Sequence, residues 1–141
     1  MPIAYHPKPG TIVVCDFQNG FVPPEMVKRR PAIVVSPQIA ARKGLCTIVP
    51  LSTGVPHVPM PWHVELRDLR LPRPWDEGPN WVKADMIYAV SFARLDLIRM
   101  GRDPKGKRTY FTTPLPRVDM QAIRKAILSS LGIATLTKPL Q

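Results

Sequence analysis

The sequence predicts a mainly β domain: a small, strongly bent antiparallel sheet or partly open barrel, sealed by one helix near the C-terminus. Three observations predict it. Short β-branched and apolar runs recur, each bounded by Gly, Pro or polar turn residues. Proline is abundant, with 18 residues beside 8 glycines in a chain of 141, which breaks long helices and stiffens loops. One stretch alone, 120–131, carries apolar residues at helical spacing. Strands joined by short turns bury their apolar faces by bending on themselves and taking a helix as a lid.

Residues 1–9 read as an irregular arm with Pro2, Pro7 and Pro9, and Gly10 as a turn. The β-branched run 11–17 is the first strand. Residues 18–26, with Asn19-Gly20 and Pro23-Pro24, form a loop of the kind that often serves as a lid or binding loop. Lys28-Arg29-Arg30 follows and runs into the second strand, 32–36. Pro31 has no N–H to donate, so pairing is expected to begin at Ala32, with Arg30 held at the mouth of a stiff strand. A polar turn, 38–44, precedes the third strand, 45–51, which ends at Ser52-Thr53-Gly54. A proline-rich link leads to the fourth strand, 62–66. Residues 67–79 are basic and irregular, with Arg67, Arg70 and Arg73 three apart. The run 81–90 reads as one fifth strand.

Residues 93–99 read as a strand or a turn leading into a basic segment up to Arg108, with a turn at Lys105-Gly106-Lys107 and a short strand at 108–112. In the helix, Met120, Ile123, Ile127, Leu128 and Leu131 share a face. Asp119 suits the N-cap, Val118 and Ile123 a hydrophobic staple, and Gly132 the C′ position. Residues 133–141 form a tail. No repeat or boundary divides the chain, so 1–141 reads as a single domain.

The composition is 45% hydrophobic and 21% charged, ordinary for a globular chain. The net charge of +10 favours a polyanionic partner: nucleic acid first, an acidic protein segment second, an anionic membrane third. No apolar run approaches the roughly 18 residues that span a bilayer, and the N-terminus lacks the layout of a signal peptide. Cys15 and Cys46 lie in strand-like runs and read as buried thiols of a cytoplasmic protein.

Three strand ends carry polar groups that a strand does not need. They are Arg30, the Ser52-Thr53-Gly54 turn, and Lys83 with Asp85. Lys83 and Asp85 are two apart and would share a strand face. Together these residues supply a guanidinium, a hydroxyl, an ammonium and a carboxylate, a set able to bind a phosphodiester and move a proton. RNA carries its own nucleophile, the 2′-OH, so cleaving it needs neither metal nor cofactor. Each residue also has a plain role open to it: Arg30 as a solvated cation, Thr53 as a cap for the turn before Gly54, Asp85 as the partner of Lys83. The chain has no P-loop, Gly-x-Ser-x-Gly or Cys-x-x-Cys motif, and His6, His57 and His63 are scattered.

An ordered set of segments resembles the MazF/PemK/Kid family of toxins from type II toxin–antitoxin systems. These are Gly10 to Phe17; Glu25 followed by Lys28-Arg29-Arg30-Pro31-Ala32-Ile33-Val34-Val35-Ser36; Ile48 to Gly54; Val82-Lys83-Ala84-Asp85-Met86-Ile87; and Gly106-Lys107-Arg108 followed by 115–131. The resemblance implies an SH3-like barrel with a C-terminal helix, working as a C2 homodimer. It implies ribosome-independent cleavage of single-stranded RNA, mRNA foremost, and inhibition by an antitoxin with an acidic, partly disordered segment. Carried over by position, Arg30, Thr53 and Asp85 are catalytic. Glu25, Lys28, Arg29, Ser52, Lys83 and Arg108 contact substrate, with Ser52 also the fallback hydroxyl. Lys83 stands where Kid-like members have Arg.

Two stretches depart from the compact members: 21–27, and the longer 67–79 with Trp75. Both bear on which RNA enters. Two other functions fit the same fold. One is a gyrase poison like CcdB, which acts through C-terminal residues that include a Trp; this chain ends without an aromatic at 137–141. The other is an RNA-binding module without catalysis.

Overall fold

The computed structural model describes residues 2–136, and the end of the tail, 137–141, lies outside them. Its elements run β1 (Ile12–Asp16), β2 (Arg29–Val34), β3 (Leu45–Ser52), β4 (His63–Glu65), β5 (Trp81–Lys83), β6 (Tyr88–Ser91), a 3-10 turn (Phe92–Arg94), β7 (Leu95–Arg102), β8 (Arg108–Phe111) and α1 (Arg117–Ser130). Every strand pairing is antiparallel. The sheet order is β4-β5-β3-β2-β1-β7-β8, with β6 also on β3. The mainly β architecture with one C-terminal helix is as expected. The sheet is open, with β4 and β8 at its ends, not a closed barrel.

The central strands carry unbroken apolar runs, Ile12–Cys15, Pro31–Val34 and Ile48–Leu51, because both of their faces are covered there. Ile12 and Val14 of β1, Ile33 of β2, and Val49 and Leu51 of β3 face one cluster, which Met120, Ile123 and Ala126 of α1 complete. Their neighbours Val13, Cys15, Ala32, Val34, Cys46 and Ile48 face a second cluster. Phe17, Val90, Leu95 and Ile3 close that side. The N-terminal arm is therefore docked: Ile3 is buried and its N–H donates to Leu95 O at 2.9 Å.

Three expectations are corrected. First, β2 starts at Arg29. Toward β3 its pairing begins at Ala32, opposite Pro50. Toward β1 it continues through Pro31, Arg30 and Arg29, opposite Val14, Cys15 and Asp16. Arg30 therefore lies within the strand, not at its mouth. Second, the run 81–90 is two strands. β3 is eight residues long, and its free edge meets β6 at 45–48 and β5 at 51–52. The chain turns at Ala84-Asp85 to pass between them, and Asp is poorly suited to strand interiors.

Third, α1 begins three residues early. Pro116 is its N-cap, with no side-chain cap bond, and Asp119 sits in the first turn. Proline's fixed φ starts the helix, and the carboxylate meets the positive end of the helix dipole. Val118 is then an exposed helical residue, not a staple. The C-terminus is as expected. Gly132 has φ +76°, its N–H donates to Ser129 O, and Ile133 N–H donates to Leu128 O, which is the Schellman arrangement.

Both cysteines are free and buried. Burial pushes the Cys15 thiol up to about 12 and the Cys46 thiol up to about 11, from an ordinary 9.0. In the unfolded chain both ionise near 9.0, while the native chain keeps their protons. Their burial thus contributes stability that is whole below pH 9.0 and is lost as pH rises through the folded values. Iodoacetamide at pH 8 is expected to leave the native protein unlabelled and to modify both thiols in denaturant. Fast labelling of the native protein would contradict this placement.

Candidate active site

The ends of β2 and β3 lie side by side, and a cleft of about 540 Å³ opens over them. Arg30 comes from β2, and Ser52 and Thr53 from the end of β3. Trp75, Glu77 and Asn80 form the facing wall, from the loop between β4 and β5. Arg30 is half-buried. Its Nε is fully covered and hydrogen-bonds nothing among the described residues. A covered cationic donor without a partner is costly; being covered, Nε is out of a ligand's reach, and the cleft meets Arg30 through its terminal guanidinium nitrogens.

The two hydroxyls divide their roles. Ser52 Oγ accepts the Gly54 N–H at 3.1 Å and so holds the turn. Thr53 is exposed, and its hydroxyl makes no hydrogen bond among the described residues. Gly78, at φ +75°, passes so close to Thr53 that an added Cβ would sit 3.5 Å from Thr53 Cβ. The 66–80 loop therefore folds over the strand ends instead of outward.

The other expected site residues are dispersed around this cleft. Lys83 Nζ lies 3.5 Å from Gly54 O, at the rim. Asp85 is exposed in the turn after β5, so it does not share a strand face with Lys83 and is not part of the cleft wall. Both bear on His63, whose pKa is lowered by burial first and then by Lys83, with Asp85 opposing. The neutral imidazole accepts the Met60 N–H on Nδ1 at 3.1 Å, which leaves its proton on Nε2. Arg29 is exposed, with its guanidinium 5.9 Å from the Trp75 ring centre. Lys28 is exposed beside it.

Glu25 serves its own loop, accepting the Val22 N–H at 2.9 Å. Arg108 opens β8 opposite Arg102, in the hairpin at the end of the sheet and away from the cleft. In the basic loop, Arg67 pairs with Glu65 at 2.9 Å and Arg70 donates to the carbonyls of Arg67 and Leu69. These two arginines hold the loop's shape. Glu77 and Asn80 were not legible as site residues. Their only trace in sequence was the long insertion with its tryptophan.

Residues 8–131 match a family described as "PemK-like, MazF-like toxin of type II toxin-antitoxin system". A relative in Escherichia coli K12, the putative uncharacterized protein YifN, is 30% identical over 158 residues, spanning 96% of this chain and 99% of that protein. The MazF crystal structure from Deinococcus radiodurans superposes with a TM-score of 0.60 at 23% identity, covering 92% of this chain and 99% of that one. An endoribonuclease from a mycobacterial species, solved in complex with its cognate antitoxin, gives 0.55 at 22%, covering 90% and 96%. At these identities the likeness to the two structures is one of fold.

Proposed function

The chain belongs to the family of PemK-like, MazF-like toxins of type II toxin–antitoxin systems, and from there we propose that it is the toxin of such a pair and cleaves single-stranded RNA. The observation that supports this best is the Arg30 guanidinium lining one cleft with the free Thr53 hydroxyl, with no ion pair to the guanidinium among the described residues. That pairing suits a phosphodiester, whose non-bridging oxygens accept from a guanidinium fork and from a hydroxyl.

In this reading the RNA 2′-OH attacks the adjacent phosphorus and the 5′ oxygen leaves, giving a 2′,3′-cyclic phosphate and a 5′-OH. Arg30 balances the charge that builds on the phosphoryl oxygens. Thr53 orients the phosphate, and Ser52 keeps the turn that presents Thr53. Asp85, outside the cleft wall in the turn after β5, takes the 2′-OH proton through a bridging water. The leaving oxygen takes its proton from solvent, since arginine holds its own too tightly. Lys28, Arg29 and Lys83 carry the flanking phosphates, so binding weakens as salt rises. The reaction as written uses no metal and no ribosome.

The same exposed cations would receive an acidic antitoxin segment, and we assign the working form to a cytoplasmic homodimer. No described helix is long and apolar enough to cross a membrane.

The test is purified protein on RNA of mixed sequence in EDTA. New 5′-OH ends are expected. Asp85→Asn should lower the rate about 10²-fold, the lower range for loss of a general base, with the cut positions unchanged. RNA that is retained without new ends would point to a binding module and overturn the catalytic reading.

A further inference from the structure

The 66–80 loop builds the wall opposite Arg30, and its cleft residues are not needed to hold a phosphate. The loop is firmly set. Trp75 packs half-buried against the main core cluster, and its backbone N–H donates to Pro72 O at 2.9 Å. Asn80 Nδ2 donates to Leu69 O at 3.3 Å, and Gly78 closes onto Thr53. A flat indole is thus fixed in the cleft, with the Arg29 guanidinium near its ring. Every nucleobase has a π face that can stack on such a ring.

Glu77 is the informative neighbour. It is exposed, lines the same cleft, and makes no ion pair or hydrogen bond among the described residues. A free carboxylate in a cleft for a polyanion repels the phosphates. It becomes favourable only where the ligand brings N–H donors to it. A carboxylate only accepts, through two adjacent oxygens. Among the RNA bases, guanine alone offers two adjacent donors, N1–H and N2–H, on its Watson–Crick edge. Adenine and cytosine offer a donor beside an acceptor, and uracil one donor between two acceptors.

We propose that Trp75 and Glu77 form a guanine-reading subsite beside the phosphate held at Arg30 and Thr53. The base stacks on the Trp75 ring and donates N1–H and N2–H to the Glu77 carboxylate. This specificity rests on the endoribonuclease reading above. If Trp75 is only loop packing and Glu77 only a solvated charge, neither residue changes which base is chosen.

The experiment has two readouts: mapped ends on random-sequence RNA, and binding of four uncleavable 2′-O-methyl oligonucleotides that differ at one base. For the wild type, guanine is expected at one fixed position beside the cut, with the guanine oligonucleotide bound about 10-fold or more tighter. Glu77→Gln should lose that preference and gain adenine or cytosine, because a carboxamide pairs one acceptor with one donor. Trp75→Phe should keep guanine and bind less tightly. Trp75→Ala should lose about 10-fold in binding. Glu77 is exposed, so its variant leaves the packing intact. A wild type that cuts RNA without a guanine at a fixed position overturns the subsite, as does a Glu77→Gln variant with unchanged preference. A wild type that neither cuts nor binds RNA overturns the endoribonuclease reading itself, and the subsite with it.

Discussion

Arg30→Ala is expected to lower RNA cleavage about 10³-fold while leaving the fold as stable as before, or slightly more so. The loss of rate follows from removing the one guanidinium that the cleft presents from a rigid strand. Removing a single preorganised donor to a developing anion costs about 10²–10³ in kcat, and Arg30 also contributes its charge. The unchanged stability follows from burial. Arg30 Nε is covered and unpartnered among the described residues, so the native state carries a desolvation cost that alanine removes. Arg30→Lys should not restore the rate, because an ammonium lacks the planar fork that meets two oxygens at once. Cleavage and urea denaturation measured on the same samples decide the matter. Equal cutting by wild type and alanine variant would remove Arg30 from the chemistry. A large loss of stability would mean that Arg30 is a structural residue.

What was legible follows from how local each signal is. β1, β3 and the C-terminal Gly132 depend on short runs and one φ preference, and the sequence displays both. Arg30, Ser52 and Thr53 converge because β2 and β3 are antiparallel neighbours, so the start of one lies beside the end of the other. The division of 81–90 into β5 and β6 was not local. It depends on β3 being long enough to take two partners on one edge, and a strand's length on that edge is not written in its partner. Asp85 moved out of the expected strand face for this reason. Glu77 and Asn80 were hidden for another: a loop shows its residues in sequence but not which way it folds. The Gly78 approach to Thr53 and the packing of Trp75 and Leu71 against the core bring this loop over the site. The N-cap differs from expectation because Asp119 has capping chemistry three positions too late, while Pro116 starts the helix through its fixed φ with no side-chain cap bond.

Phe17→Ala should destabilise the protein by about 3–5 kcal/mol, a large share of the roughly 5–15 kcal/mol available to a domain. Phe17 directly follows β1 and is 0% exposed. Its ring meets Phe21 at 5.2 Å and Tyr88 at 5.3 Å, and those two meet each other at 5.4 Å. This triad ties the 18–26 loop to β6. Tyr88 Oη accepts the Met26 N–H at 3.0 Å, two residues before Lys28. Arg94 lies 4.8 Å from the Phe21 ring centre and donates to the carbonyls of Asp16 and Asn19. Removing Phe17 therefore opens a cavity in the second cluster and takes away the floor on which the loop before Arg29 and Arg30 rests. For a chain of this size the melting temperature should fall by about 10–20 °C. Phe17→Leu should recover most of the lost burial but not the ring contacts, edge-to-face with Phe21 and tilted with Tyr88, which are worth about 0.5–1.5 kcal/mol each. Phe21→Ala, at a half-buried position, should cost less in global stability and show mainly as faster amide exchange within 18–27. If Phe17→Ala and Phe21→Ala prove equally destabilising, the loop is part of the core's cooperative unit, and Phe17 is not the anchor that separates them.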